Sequence, residues 1–395
     1  MSARQVSVRA AYMRGGTSKG LFFARDDLPP SVLQPGTVRD AFFLRVMGSP
    51  DPYGQQIDGM GAATSSTSKI VVVGKSARAD CDIDFLFGQV DVGTALVDWS
   101  GSCGNLVSAV GPFAIDRGLV RPSSDGVAQI RIWQVNLGER IVAHVPVLGG
   151  QVVEDGEFVL DGVAFPAAPV QVDFLDLGGD AALPTGNTRD VLDVDGRSYE
   201  VTLVTAGNPT VFVKASLVGI DGTELPSELN RQPELLAHLE RVRAHAAVRM
   251  GLAATPAEAT LKRAHTPKVC MVRGSESYTA ASGKTVQAAD VDVVARIVSM
   301  GKFHHALTGT GAVALAAAAS IPGTVVHGVL DATADASRLR VGHSSGRLLV
   351  GATAEQIDSG WRVTRVTLQR SARRLMDGTV FVPARWAQPI SEEPR

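Results

Sequence analysis

The 395-residue sequence predicts an α+β protein of two pseudo-symmetric halves, residues 1–190 and 191–395, each a mixed β-sheet wrapped around a central apolar helix. Three observations lead there. Short β-branched runs bounded by turn residues recur along the chain. Two compact segments are apolar on every face. The elements of the first part return, in the same order, in the second.

Taken in order, Arg39–Met47 has helical spacing, and Ile70–Val73 and Val90–Val92 read as strands. Asn105–Arg117 reads as a helix apolar all round, which places it inside its domain. Its end is marked by a basic residue and a glycine, Arg117-Gly118. Ile130–Trp133, Ile141–Val147, Val201–Val204 and Val211–Val213 are further strands. Pro233–Met250 is the longest helical pattern, with Leu236, Leu239, Val242, Ala246 and Met250 near one face. Gly311–Ser320 is the second apolar helix, stopped by Ile321-Pro322-Gly323.

The repeat rests on paired strings. Gly16–Phe23 resembles Gly207–Val213, Arg45–Gly48 resembles Val248–Gly251, and Thr67–Val72 resembles Thr266–Met271. Asp82–Leu86 resembles Asp290–Val294, and Cys103-Gly104-Asn105 with its helix resembles Thr308-Gly309-Thr310-Gly311 with its own. Halves related in this way leave a cleft between them, where ligands bind.

Composition narrows the class. A formal net charge of −2 argues against a nucleic-acid partner. Three scattered cysteines, none in CxxC spacing, exclude a disulfide framework and a cysteine zinc site and fit a reduced cytoplasm. No apolar segment follows the N-terminal charges, so no signal peptide is expected. The longest apolar run, Ala312–Ala319, is too short to span a bilayer, so no membrane partner is expected.

Both apolar helices begin with a small-residue turn. A helix N-terminus presents unpaired N–H groups and partial positive charge, and glycine lets a ligand approach. Two such starts facing each other across a cleft would hold anions, carboxylates especially. Cys103 sits at one of them, where a thiol is expected to ionise more easily and to serve as a proton donor or acceptor. Cys81 and Cys270 lie in strand-like runs and read as buried apolar residues. Lys69 ends the loop Ser65-Ser66-Thr67-Ser68 and enters a strand; out of water it would be a general base. Its repeat partner Lys268 reads as structural. Arg14–Gly20 lacks the spacing of a phosphate loop and reads as a tight turn offering N–H groups, hydroxyls and charge to a carboxylate. His304-His305 lies just before the second helix. No HExxH pattern exists and no metal is expected; one of these histidines is expected to donate to a substrate carboxylate.

These features resemble the diaminopimelate epimerase superfamily and, within it, the 2-methylaconitate cis–trans isomerase family. The resembling stretches run from Arg14–Gly20 (RGGTSKG), Gly48–Gly61, Ala63–Lys69 and Val97–Asn105 (VDWSGSCGN) to His265–Lys268 (HTPK), Ser299–His305 (SMGKFHH) and Arg370–Ala372. Ile130–Trp133 and Pro184–Asn187 belong with them. The resemblance implies two epimerase-like halves, no cofactor, an unsaturated tricarboxylate as partner, a possible homodimer, and Lys69 with Cys103 as the acid/base pair. It implies substrate contacts from Arg14, Thr17, Ser18, Lys19, Ser68, Gly104, Asn105, Asn208, Lys302, His304, Thr308, Gly309 and Thr310. The parent epimerases use two cysteines, and Thr308 stands at the second position, which argues against two-thiol racemisation. The expected activity is interconversion of 2-methyl-trans- and 2-methyl-cis-aconitate in propionate breakdown. The alternatives are a 4-oxalomesaconate tautomerase and a non-catalytic polycarboxylate-binding protein.

Overall fold

The computed structural model describes residues 5–122, 125–177, 179, 182–358 and 360–387. In the first half, β1 (Gln5–Gly15) and β2 (Ser18–Ala24) form a hairpin, and β3 (Lys69–Lys75) runs parallel to β2. Next, β4 (Ile83–Val90) is antiparallel to β3 and β5 (Gly126–Gln134) is parallel to β4. The antiparallel strands β6 (Glu139–Leu148) and β7 (Pro169–Leu177) follow.

The second half repeats the pattern. β8 (Asp190–Val194), β9 (Arg197–Val204) and β10 (Thr210–Lys214) are antiparallel in turn, and β11 (Lys268–Gly274) is parallel to β10. β12 (Val293–Ser299) is antiparallel to β11, and β13 (Leu339–His343) is parallel to β12. Then come antiparallel β14 (Gly346–Ile357) and β15 (Gly360–Pro383).

The chain beyond residue 190 does not stay in its own half. The 24-residue strand β15 pairs with β14 and β7 through its first part and with β1 through its second. It thereby closes the ring β15–β1–β2–β3–β4–β5–β6–β7 back on itself. Among the described residues β8 pairs only with β9, so the second half remains an open ring.

Each ring wraps one apolar helix. In the first it is α2 (Val107–Asp116), after α1 (Thr37–Met47) on the outside; in the second it is α4 (Gly309–Ala319), after α3 (Pro233–Arg249) on the outside. Every residue of α4, and Val107–Ile115 of α2, is buried. This sandwiching explains the continuous apolar strands. Val71 and Val73 face α2, whereas Ile70 and Val72 face α1, so β3 has no wet face and shows no alternation.

Three expectations shift. The helix expected over 105–117 begins at Val107, because Asn105 is turned aside to hydrogen-bond Arg370 and Thr17. The strand expected over 90–92 ends at Val90, where Asp91 accepts from the N–H groups of Gly93 and Thr94 and turns the chain. The match of Asp82 to Asp290 is out of register. Ile83 pairs with Ile132 and Val293 with Val341, which makes Asp292 the counterpart of Asp82. Both carboxylates accept from an arginine on the parallel neighbour, Arg131 at 2.7 Å and Arg340 at 2.5 Å.

Candidate active site

The N-terminal starts of the two central helices meet. A Cβ on Gly104 would lie 2.6 Å from Gly309 C, and one on Gly309 would lie 2.2 Å from Gly104 C. Only glycine at both positions lets the backbones touch. Thr308 caps α4, its Oγ1 accepting from Gly311 N–H at 3.1 Å. Around this contact lies a small chamber of about 10 Å³, room for about one water. A cleft of about 680 Å³ adjoins it, the two sharing Ser299 and His304.

Cys103 (6% exposed) and Lys69 (5% exposed) both line the chamber. The N–H of Leu106 points at Cys103 Sγ from 3.4 Å, as a helix first turn does toward an anion. Lys69 opens β3; its Nζ donates to Gln89 Oε1 at 2.6 Å and stands over the Phe87 ring. Burial holds Lys69 below the ordinary lysine value, opposed by the charge of Cys103. Among the described residues no carboxylate lines this chamber.

Of the residues singled out from sequence, Ser18, Gly104, Asn105, His304, Thr308, Gly309 and Thr310 join Lys69 and Cys103 at the chamber. His304 is stacked on His305 and held uncharged well below the usual range by burial and by that neighbour. The others stand back. Arg14 is spent on Gly16 O and Ser371, at 2.9–3.2 Å. Thr17 accepts from Asn105 Nδ2 at 3.0 Å, and Lys19 lies over the Tyr12 ring. Ser68 donates to Gln56 Oε1, and Lys302 lines the outer cleft. Asn208 grips the backbone of Ser102, accepting from its N–H at 2.7 Å and donating to its O at 2.9 Å, so the second half holds the Cys103 turn in place.

The chamber also contains Ser102, His265, Lys268 and Ser299, which sequence reasoning did not assign to the site. The matched strings Thr67–Val72 and Thr266–Met271 were the available signal, since they align Lys268 with Lys69. Arg370, fully buried, donates to Asn105 Oδ1 at 3.1 Å; burial lowers it to about 10. Among the described residues no group of three His, Cys, Asp or Glu side chains could hold a metal.

Paired strand rings around helices that meet start to start define the epimerase-like α+β class. A hydroxyproline epimerase structure overlays on 95% of this chain and 93% of its own with a TM-score of 0.57 at 11% identity, a likeness of fold alone. A methylitaconate-delta-isomerase structure overlays on 100% of both chains with a TM-score of 0.77 at 38% identity. The chain belongs to the PrpF protein family, whose model matches residues 5–383. It is 52% identical over 389 residues to a 2-methyl-aconitate isomerase of Cupriavidus necator, covering 96% of this chain and 98% of that one. A 2-methyl-aconitate isomerase of Shewanella oneidensis is 51% identical over the same shares. A 4-oxalomesaconate tautomerase of Pseudomonas putida is 37% identical, covering 96% and 97%.

Proposed function

We propose that this protein is a 2-methylaconitate isomerase that moves one proton with its own side chains, in the cytoplasm, as part of propionate breakdown. The observation that carries the reading is the pairing of Lys69 with Cys103 at a chamber between two helix starts that no described carboxylate lines. The relatives at 51% and 52% identity support the substrate.

The chemistry follows from the arrangement. The amine of Lys69, kept short of its usual proton affinity by burial, takes a proton from an allylic carbon. The electron pair left behind spreads into the unsaturated system and onto a carboxylate. The helix starts and buried cations stabilise that charge without reorganising. The former double bond then has single-bond character, and the substrate rotates about it. Return of a proton to the same carbon, from Lys69 or Cys103, completes cis–trans interconversion.

Proton NMR in deuterated water tests this. Wild-type protein should convert 2-methyl-trans-aconitate to the cis isomer. Lys69→Ala and Cys103→Ser should each lose about 10²–10⁴-fold in rate, the usual contribution of a positioned acid or base. Deuterium wash-in without isomerisation would replace the substrate, 4-oxalomesaconate being next. A folded protein giving neither signal would overturn the reading.

A further inference from the structure

The chamber holds a second buried lysine that this mechanism leaves unused. Lys268 is 2% exposed and opens β11 as Lys69 opens β3. Lys69 pairs across with Gln89. Lys268 stands one step before the Val269–Val298 pair, opposite Ser299. Each lysine donates to that cross-strand neighbour, to Gln89 Oε1 at 2.6 Å and to Ser299 Oγ at 3.0 Å. The duplicated fold thus delivers one lysine and one helix start from each half.

The two lysines differ in how they are held. Among the described residues Lys69 has the single acceptor Gln89 Oε1. Lys268 has Ser299 Oγ, His265 O at 3.4 Å and His265 Nδ1 at 3.5 Å. His265 is fixed in turn beside Ser102 O and Asn208, behind the Cys103 turn. One acceptor leaves an amine free to turn toward carbon. Three acceptors hold an ammonium at a set position.

We propose that Lys268 is a further residue of the reaction: a fixed cation that grips a substrate carboxylate from the second half while Lys69 of the first half moves the proton. The proposal rests on the tricarboxylate reading above. A buried ammonium needs a counter-charge; no described carboxylate lines the chamber, and Cys103 and Asp98 only partly offset burial and the charge of Lys69. A polycarboxylate substrate brings it. The same cation stabilises the delocalised anion after proton removal. Burial, and then the charge of Lys69, bring Lys268 itself down to about 7. It is therefore largely charged below that pH.

The test is calorimetric binding at pH 6.5 of propane-1,2,3-tricarboxylate, which has no double bond and does not react. Wild type should bind. Lys268→Met should bind about tenfold or more weaker, as expected for loss of a charge-assisted hydrogen bond. Lys268→Arg, which keeps a positive charge on a larger, planar head, should bind more tightly than Lys268→Met. Wild-type binding should weaken as the pH rises through about 7, where Lys268 loses its charge, and Lys268→Met should lack that step; a merely structural loss would keep it. Binding by Lys268→Met equal to wild type, or a pH step that persists in it, overturns the proposal. Should Lys268→Met not fold, Ser299→Ala decides. It keeps the charge and loosens its aim, and unchanged binding there overturns the proposal as well. A wild type that binds the tricarboxylate through Lys268 without turning over 2-methyl-trans-aconitate would sink the isomerase reading and leave this anchor standing.

Discussion

Gly104 and Gly309 are where a single methyl group decides the site. Each would place a Cβ within 2.6 Å of the other's backbone, and backbone cannot give way as a flexible side chain does. Gly104→Ala should force the helix starts apart and displace Cys103 from Lys69. A misplacement of about 1 Å costs on the order of 10² in rate, so kcat should fall by about that factor. Steady-state kinetics beside a thermal melt check it, the melt showing whether the fold survives. Glu139 makes a second residue-scale prediction. It is buried at the head of β6, and burial raises it from 4.5 to about 8, against an opposing hydrogen bond from Gly207 N–H. The folded state therefore holds a proton that the unfolded state releases. Its contribution to stability is fully present below 4.5 and is lost as the pH rises through 8. Lys268 runs the other way; lowered from 10.5 to about 7, its contribution is present above 10.5 and lost as the pH falls through 7. Urea midpoints of Glu139→Gln minus wild type isolate the first effect. The variant should gain relative stability between pH 5 and pH 8.5, and a flat difference would remove Glu139 from the account.

At the scale of elements, composition and enclosure agree in α4. It carries nothing larger than Val313 and Leu315 among glycines, alanines and Thr310, and it is buried all round. The surrounding ring can close tightly only because the helix is thin. Ala316→Leu should cost about 1–3 kcal/mol through overpacking, read as a lower urea midpoint with an unchanged slope. The helices were legible in sequence because an all-apolar segment with a glycine or proline stop has few other uses. Gly118 does end α2, with φ +68, as Leu119 N–H reaches back to Ala114 O at 2.9 Å. β15 was not legible. Its run Thr364–Gly378 is rich in arginine and has no single dry face, since it serves three partner strands in turn.

At the scale of the molecule, β15 ties the halves together. The ring around α2 is completed by residues 372–383, more than 180 positions beyond the boundary expected near residue 190. A fragment of residues 1–190 has an open ring and an exposed core helix. Expressed alone it should show no cooperative unfolding, and mixing it with a 191–395 fragment should restore a cooperative transition. A 1–190 fragment that folds by itself would show that β15 is dispensable to the first ring. The site depends on the same tie, because Asn208 of the second half holds Ser102 of the first.

Sequence alone determined the class of fold, the duplication, the apolar helices and the candidates Lys69 and Cys103. These are written locally, in periodicity, in stop residues and in short matched strings. Tertiary structure alone decided that Arg14, Thr17, Lys19 and Ser68 stand behind the chamber and that Lys268, His265 and Ser299 line it. It also decided which aspartate answers Asp82 and where the last strand goes. The reason is physical: a side chain's partners across a cleft are set by strand register and by the close approach of two glycines, and neither is encoded within a window of neighbouring residues.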